Sequence, residues 1–223
     1  MAEYFGYDSS DVAFVSEPAV REGVYSRHLK RTFDLLIVLL AAPFVLLAVL
    51  IFALAVRLDG GPAFYFQDRI GKNGRIFRIW KLRSMVTDAD ARLAAHLEEN
   101  PEARAEWDHS QKLKNDPRIT RVGRLIRKTS LDELPQLWNV VTGDMSLVGP
   151  RPMMPSQAPL YPGQAYYRLR PGLTGYWQIS SRNESSFAER AGFDSRYAAE
   201  LSLLTDLRVL FSTVRVVLRG TGY

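Results

Sequence analysis

Between Asp34 and Arg57 the chain reads LLIVLLAAPFVLLAVLIFALAV (residues 35–56), 22 consecutive residues without a charge or a hydrogen-bonding side chain. A helix needs roughly 20 apolar residues to cross the hydrocarbon core of a bilayer, so this run is long enough to anchor the chain in one. It does not read as a cleavable signal, because it is longer than an h-region and is followed by Arg57, Leu58 and Asp59 rather than by a small-residue cleavage site. Arg21, Arg27, Lys30 and Arg31 precede it, and Arg57, Arg69, Lys72 and Arg75 follow, so the positive-inside rule draws both ends toward the cytoplasm. Pro43, near the middle, removes a backbone hydrogen bond and bends a helix. Two topologies follow. The helix (residues 27–57) enters, bends at Pro43 and returns to the same face, or it runs straight through and tolerates its proline.

Outward from the anchor, the 223 residues are 47% hydrophobic and 24% charged, enough for one ordinary core. The formal charge of +5 favours anionic partners. Cysteine is absent, which excludes disulfides, thiolate chemistry and cysteine-ligated metals. Residues 1–26 read as a mobile tail. After Gly60-Gly61-Pro62, residues 63–67 have strand character, and residues 69–81 read as a hairpin turning at Gly71-Lys72-Asn73-Gly74. Residues 88–99 and 101–114 read as two charged, peripheral helices, the second with Asn100 as N-cap and Pro101 at its first position. Arg118, Arg121, Arg124 and Arg127 recur every third residue, placing a basic stripe beside an apolar one. Residues 187–218 read as amphipathic helix, able to pack on the rest of the chain, on a membrane, or on a second copy in a homo-oligomer.

The chemistry concentrates downstream of the basic stripe. Ser130-Leu131-Asp132-Glu133-Leu134-Pro135 opens a helix running through Val141. Ser130 and Glu133 match a capping box, and acids in a first turn complement the helix dipole, so a purely structural reading stands. Pro135 fits the first turn better if Asp132 is the cap. Either way the upstream arginines favour ionised carboxylates, and an ionised aspartate can serve as nucleophile or metal ligand. Residues 143–152 set two glycines and two prolines around Arg151, a rigid segment suited to aiming a guanidinium at phosphate. Residues 170–175 repeat the pattern around Arg170, and Arg182-Asn183 follows. No P-loop or dinucleotide fingerprint is present, and His28, His96 and His109 stand apart from any plausible acid or nucleophile.

Lys30-Arg31-Thr32-Phe33-Asp34 before the apolar run, Lys81 to Met85, Thr129 to Gln136, Met145 to Pro152 and Arg170 to Gly175 together resemble the bacterial sugar transferases, from residue 27 onward. These are monotopic polyprenyl-phosphate phosphoglycosyl transferases. The resemblance is to a minimal member of the exopolysaccharide-initiating type, with Ala42-Pro43 where the family commonly has Ser-Pro. It implies a mainly helical α+β fold: a re-entrant membrane helix kinked at Pro43, a small β-hairpin, and a catalytic domain (residues 58–223) with interfacial helices on the cytoplasmic face of the bacterial inner membrane. It further implies that Asp132 attacks the β-phosphate of a UDP-sugar, that polyprenyl (undecaprenyl) phosphate then takes the phosphosugar, and that Glu133 shares Mg²⁺ with Asp132 or assists the lipid phosphate. Arg127 and Arg151 would bind phosphate oxygens, Arg170 and Arg182 the nucleotide or its phosphates, and Lys30 and Arg31 the anionic membrane surface. Galactose or glucose is the implied sugar, and nucleic acid is not an expected partner. A membrane-anchored scaffold binding anionic lipid without catalysis is the alternative from another class, and a transferase moving the sugar alone would release UDP in place of UMP.

Overall fold

The computed structural model describes residues 20–58, 60–110, 113–180 and 187–218. A π-helical turn, Tyr25–Leu29, leads into α1 (Lys30–Leu58), a helix with Pro43 inside it that is long and apolar enough to cross a membrane. Leu39, Leu40, Phe44, Leu46 and Leu47 in its middle are all more than half exposed. Its ends behave differently. Near the start Asp34 and Val38 are buried, and near the end Val56 is buried with Val49, Phe52 and Ala53 beside it. Both ends of α1 therefore pack on the folded part of the chain, with the exposed apolar stretch between them.

The expected hairpin forms. β1 (Phe64–Ile70) pairs antiparallel with β2 (Ile76–Leu82), from Phe64 opposite Leu82 to Ile70 opposite Ile76. Its turn depends on Asn73 and Gly74, which take φ of 59° and 76°, a region that asparagine and glycine enter at least cost. The charged helices α2 (Ala89–Glu99) and α3 (Pro101–Ser110) follow and pack on each other, with Pro101 at the first position of α3. α4 (Arg121–Lys128) starts at Thr120, whose Oγ1 accepts from the Gly123 amide at 2.9 Å. Ile126 is fully buried and joins Val56 and Leu82 in a cluster that ties α1, β2 and α4 together.

Where the sequence predicts one helix from Ser130 to Val141, the structure has a 3₁₀ turn, Leu131–Glu133, and then α5 (Gln136–Thr142). Proline cannot occupy a helix interior without losing a hydrogen bond, and Pro135 sits instead at the start of α5. Ser130 adopts a left-handed conformation (φ 56°) and its side chain caps nothing, so the capping box with Glu133 does not form. Gly143 (φ 92°) ends α5.

A second sheet, absent from the sequence expectation, follows: β3 (Ser146–Val148) pairs parallel with β4 (Gly172–Thr174). Between them lie a 3₁₀ segment, Pro155–Leu160, and α6 (Ala165–Arg168); α7 (Tyr176–Ile179) comes after. The amphipathic C-terminal stretch is two helices, α8 (Arg190–Glu200) and α9 (Leu203–Leu218), because Ser202 caps the second by accepting from the Thr205 amide at 3.2 Å. α9 buries Thr205, Asp206 and Val209 and exposes Leu204, Phe211 and Val214. The main core gathers Val38, Phe77, Ile79, Val140, Leu147, Tyr197 and Val209 from α1, the hairpin, α5, β3, α8 and α9.

Polar ties hold both ends of α1. At the start, buried Asp206 accepts from Tyr25 Oη (2.6 Å), Lys30 Nζ (2.7 Å) and Tyr197 Oη (2.7 Å), and buried Asp34 accepts from Ser146 Oγ (2.7 Å) and the Leu147 amide (3.2 Å). Arg31 donates to the Val140 and Val141 carbonyls at the end of α5. Lys30 and Arg31, offered by the sequence for lipid contact, thus both make contacts within the protein. At the other end buried Arg83 donates to the carbonyls of Val56 (3.1 Å) and Gly60, capping the last turn of α1.

Candidate active site

A cavity of about 640 Å³ opens near the C-terminal end of α1. Separate elements converge in its polar lining: among others, β2 gives Lys81, the last turn of α4 gives Arg127, the 3₁₀ turn gives Asp132 and Glu133, and the loop after β3 gives Arg151. Gly123 makes this convergence possible. A Cβ there would overlap the Ser84 carbonyl, so only glycine lets α4 settle against the segment leaving β2 and bring Arg127 to the cavity that Ser84 also lines.

Glu133 Oε1 accepts from Lys81 Nζ at 2.8 Å and lies 3.5 Å from a terminal nitrogen of Arg151. Burial holds the Asp132 carboxyl above the usual carboxylate range, with the Lys81 and Arg127 charges opposing the rise and Glu133 adding to it. Arg127 favours ionisation of Asp132, as its sequence setting suggests, but burial is the larger effect. Asp132 thus shares the cavity with the cations Lys81, Arg127 and Arg151.

Arg151 owes its direction to the second sheet. The Gly149 amide donates to the Thr174 carbonyl (2.9 Å) and the Gly172 amide to the Pro150 carbonyl (2.7 Å), and a Cβ on either glycine would collide with the opposite strand. The two Gly/Pro/Arg segments of the sequence are therefore one structural unit, with Arg151 at its cavity edge. The Arg151 guanidinium lies over Trp177, 5.6 Å from the ring centre.

Arg170 is placed elsewhere: it is exposed and donates to the Gly143 carbonyl at 2.9 Å, away from the cavity lining. Arg182 lies outside the described residues. Of the charged lining, Lys81 is not read from the sequence as a site residue, and Arg118 is read only as part of the basic stripe. Lys81 bonds Glu133, and Arg118 pairs with Asp116 at 2.6 Å and stacks on Trp107. A lone lysine in the apolar strand Ile79-Trp80-Lys81-Leu82 was the available signal, since a charge there must find a partner.

Among the described residues, no three His, Asp or Glu side chains gather as a metal cage. The cavity offers two neighbouring carboxylates, Asp132 and Glu133. That donor set fits Mg²⁺, which takes one or two carboxylates and completes its shell with water and substrate phosphates.

A model of the bacterial sugar transferase family matches residues 25–220. The chain belongs to that family. It is 51% identical over 199 residues to a UDP-galactose-lipid carrier transferase of Erwinia amylovora and 49% identical over 203 residues to an undecaprenyl-phosphate galactose phosphotransferase of Salmonella typhimurium, covering 88% of this chain and 42% of each relative. It is 46% identical over 199 residues to the exopolysaccharide production protein ExoY of Sinorhizobium fredii, covering 86% of this chain and 87% of the relative. The chain therefore spans about two-fifths of the first two relatives and most of the third. The family match takes in α1, both sheets and every described cavity residue.

Proposed function

We propose that the chain is a phosphoglycosyl transferase that moves a sugar-1-phosphate, galactose or glucose, from a UDP-sugar to undecaprenyl phosphate as the first membrane step of exopolysaccharide synthesis. One observation carries this reading: a half-buried carboxylate, Asp132, shares a single cavity with Lys81, Arg127 and Arg151 beside the end of an apolar anchor. A carboxylate that must approach a diphosphate meets like charge, and surrounding cations remove that obstacle. The names of the Salmonella relative and of an undecaprenyl-phosphate glucose phosphotransferase of Komagataeibacter xylinus, 38% identical, support the substrate classes.

In the first step an Asp132 oxygen bonds to the β-phosphorus, the bond from that phosphorus to the bridging oxygen breaks, and UMP leaves with the bridging oxygen. In the second, an oxygen of undecaprenyl phosphate attacks the same phosphorus and releases the Asp132 carboxylate, giving undecaprenyl diphosphate sugar. Arg127 and Arg151 hold phosphate oxygens, and Lys81 keeps Glu133 in place through its 2.8 Å bond. Asp132 and Glu133 would hold Mg²⁺, which when bound would neutralise charge on the phosphates.

We also read α1 as re-entrant about Pro43, with the folded part at the cytoplasmic face of the bacterial inner membrane. The support is that both ends of α1 pack on that folded part while the apolar middle is exposed. The exposed Leu204, Phe211 and Val214 of α9 suit contact with the interface. Single cysteines at positions 20 and 62 should label from the same side, and labelling from opposite sides would refute this topology.

The test of function is nucleotide release by the purified protein with Mg²⁺, undecaprenyl phosphate and UDP-galactose or UDP-glucose. The reading predicts UMP, and a loss of about a thousandfold or more in Asp132→Asn. UDP as product, or an active Asp132→Asn, would refute it.

A further inference from the structure

Behind Arg151 stands a second guanidinium that the proposed reaction does not use. Arg190, the first residue of α8, is stacked between two aromatic rings, with its guanidinium carbon 4.1 Å from the centre of Trp177 and 4.5 Å from that of Phe187. Trp177 is the same ring on which Arg151 lies, at 5.6 Å. The Arg190 Nε is buried and has no hydrogen-bond partner among the described residues. Burial, and then the neighbouring charge of Arg151, lowers Arg190 to about 10, so the two guanidiniums are close enough to repel. Asp194, one turn further along α8, is buried, accepts from Tyr161 Oη at 2.8 Å, and opposes that repulsion.

A guanidinium whose buried Nε donor is unmet among the described residues is costly. What the charge does provide is a fixed platform. The Arg190 guanidinium lies over both Trp177 on α7 and Phe187, and the Trp177 ring also bears the Arg151 guanidinium that reaches Glu133. We infer that Arg190 is a positioning residue for Arg151: stacked on Trp177, it sets the plane on which the Arg151 guanidinium rests and so aims Arg151 at the phosphates of the nucleotide. This role rests on the proposed phosphoglycosyl transfer. It differs from direct contact, since Arg190 is not among the cavity-lining residues.

The test is a double-mutant cycle read by equilibrium binding of UDP, with Mg²⁺, to the full chain in nanodiscs. Arg190→Met should weaken UDP binding about tenfold, the size of a desolvated cation–π platform. In an Arg151→Met background the same change should alter binding less than about twofold, because a residue acting only through Arg151 has nothing left to position. Arg190→Lys, which keeps the charge without the planar face, should fall between wild type and Arg190→Met, and it carries the same cycle if Arg190→Met does not fold. Binding within about twofold of wild type in folded Arg190→Met would overturn the inference, as would the same result in Arg190→Lys where Arg190→Met does not fold, or an undiminished Arg190 effect in the Arg151→Met background. Absence of UDP binding by the wild type would instead overturn the nucleotide reading of the cavity, and this role with it.

Discussion

Replacing Asp206 by Asn tests how α1 is joined to the rest of the chain. Asp206 has no exposed side-chain surface, and the Lys30 side chain bonded to it is 15% exposed. Asparagine can keep the hydrogen bonds. Its Oδ1 accepts from Tyr25 and Lys30, and its Nδ2 donates to the Tyr197 hydroxyl, which itself can donate to the Val148 carbonyl at 3.1 Å. What disappears is the counter-charge of an ammonium held largely out of water. Removing one partner of a buried pair costs about 3–5 kcal/mol, and the surviving hydrogen bonds put this case near the lower end, about 3 kcal/mol. For a chain of this length that is a fall of about 6–12 °C in Tm. The double variant Lys30→Met/Asp206→Asn removes both charges and should regain at least half of the loss. Thermal unfolding of the full chain in nanodiscs, followed by tryptophan fluorescence, reads both. A Tm for Asp206→Asn within about 2 °C of wild type, or a double variant less stable than the single one, would refute the reasoning.

Gly123→Ala should destabilise the protein by about 1–3 kcal/mol and weaken UDP binding as well, because the new methyl pushes α4 and Arg127 away from Ser84; unchanged binding and Tm would contradict this. Ile126→Ala, at a fully buried position between Val56 and Leu82, should cost about 2–5 kcal/mol in denaturant unfolding. Burial pushes Asp194 up to about 7, so the folded protein keeps a proton there that the unfolded chain releases near its ordinary value of about 4. Stability from this group is fully present below about pH 4 and is lost as pH rises toward 7, so the Tm of wild type should fall relative to Asp194→Asn across that window, and parallel profiles would contradict it.

The elements legible in the sequence were those with a local cause. An uninterrupted apolar run makes α1, Asn73-Gly74 makes the hairpin turn, and Pro101 starts α3, each from a few adjacent residues. The second sheet was not legible, because β3 and β4 have three residues each, too few for a period, and pair across a long separation. The break before α9 had a signal in Ser202 followed by Asp206 in the first turn, but the apolar period running across it masked the cap. In the cavity, Arg127 stood out through the basic stripe, Asp132 and Glu133 as an acidic pair in a first helical turn, and Arg151 through the Gly and Pro residues around it. Lys81 did not, because its partner Glu133 lies 52 residues away. Arg170 resembled Arg151 in local pattern and differs from it only in which side of the β3–β4 unit it occupies. The partners of Asp34 and Asp206 were likewise hidden by distance: Ser146 is 112 residues from Asp34, and Lys30 is 176 from Asp206.

The central claim is that Asp132 carries the phosphosugar. The most direct measurement is mass spectrometry of the intact protein and its peptides after incubation with UDP-galactose and Mg²⁺, without undecaprenyl phosphate. The account predicts UMP in stoichiometric amount and a hexose-phosphate adduct on the peptide containing Asp132, discharged when undecaprenyl phosphate is added and absent from Asp132→Asn. UMP release that strictly requires the lipid acceptor, with no adduct on any peptide of an active preparation, would contradict it.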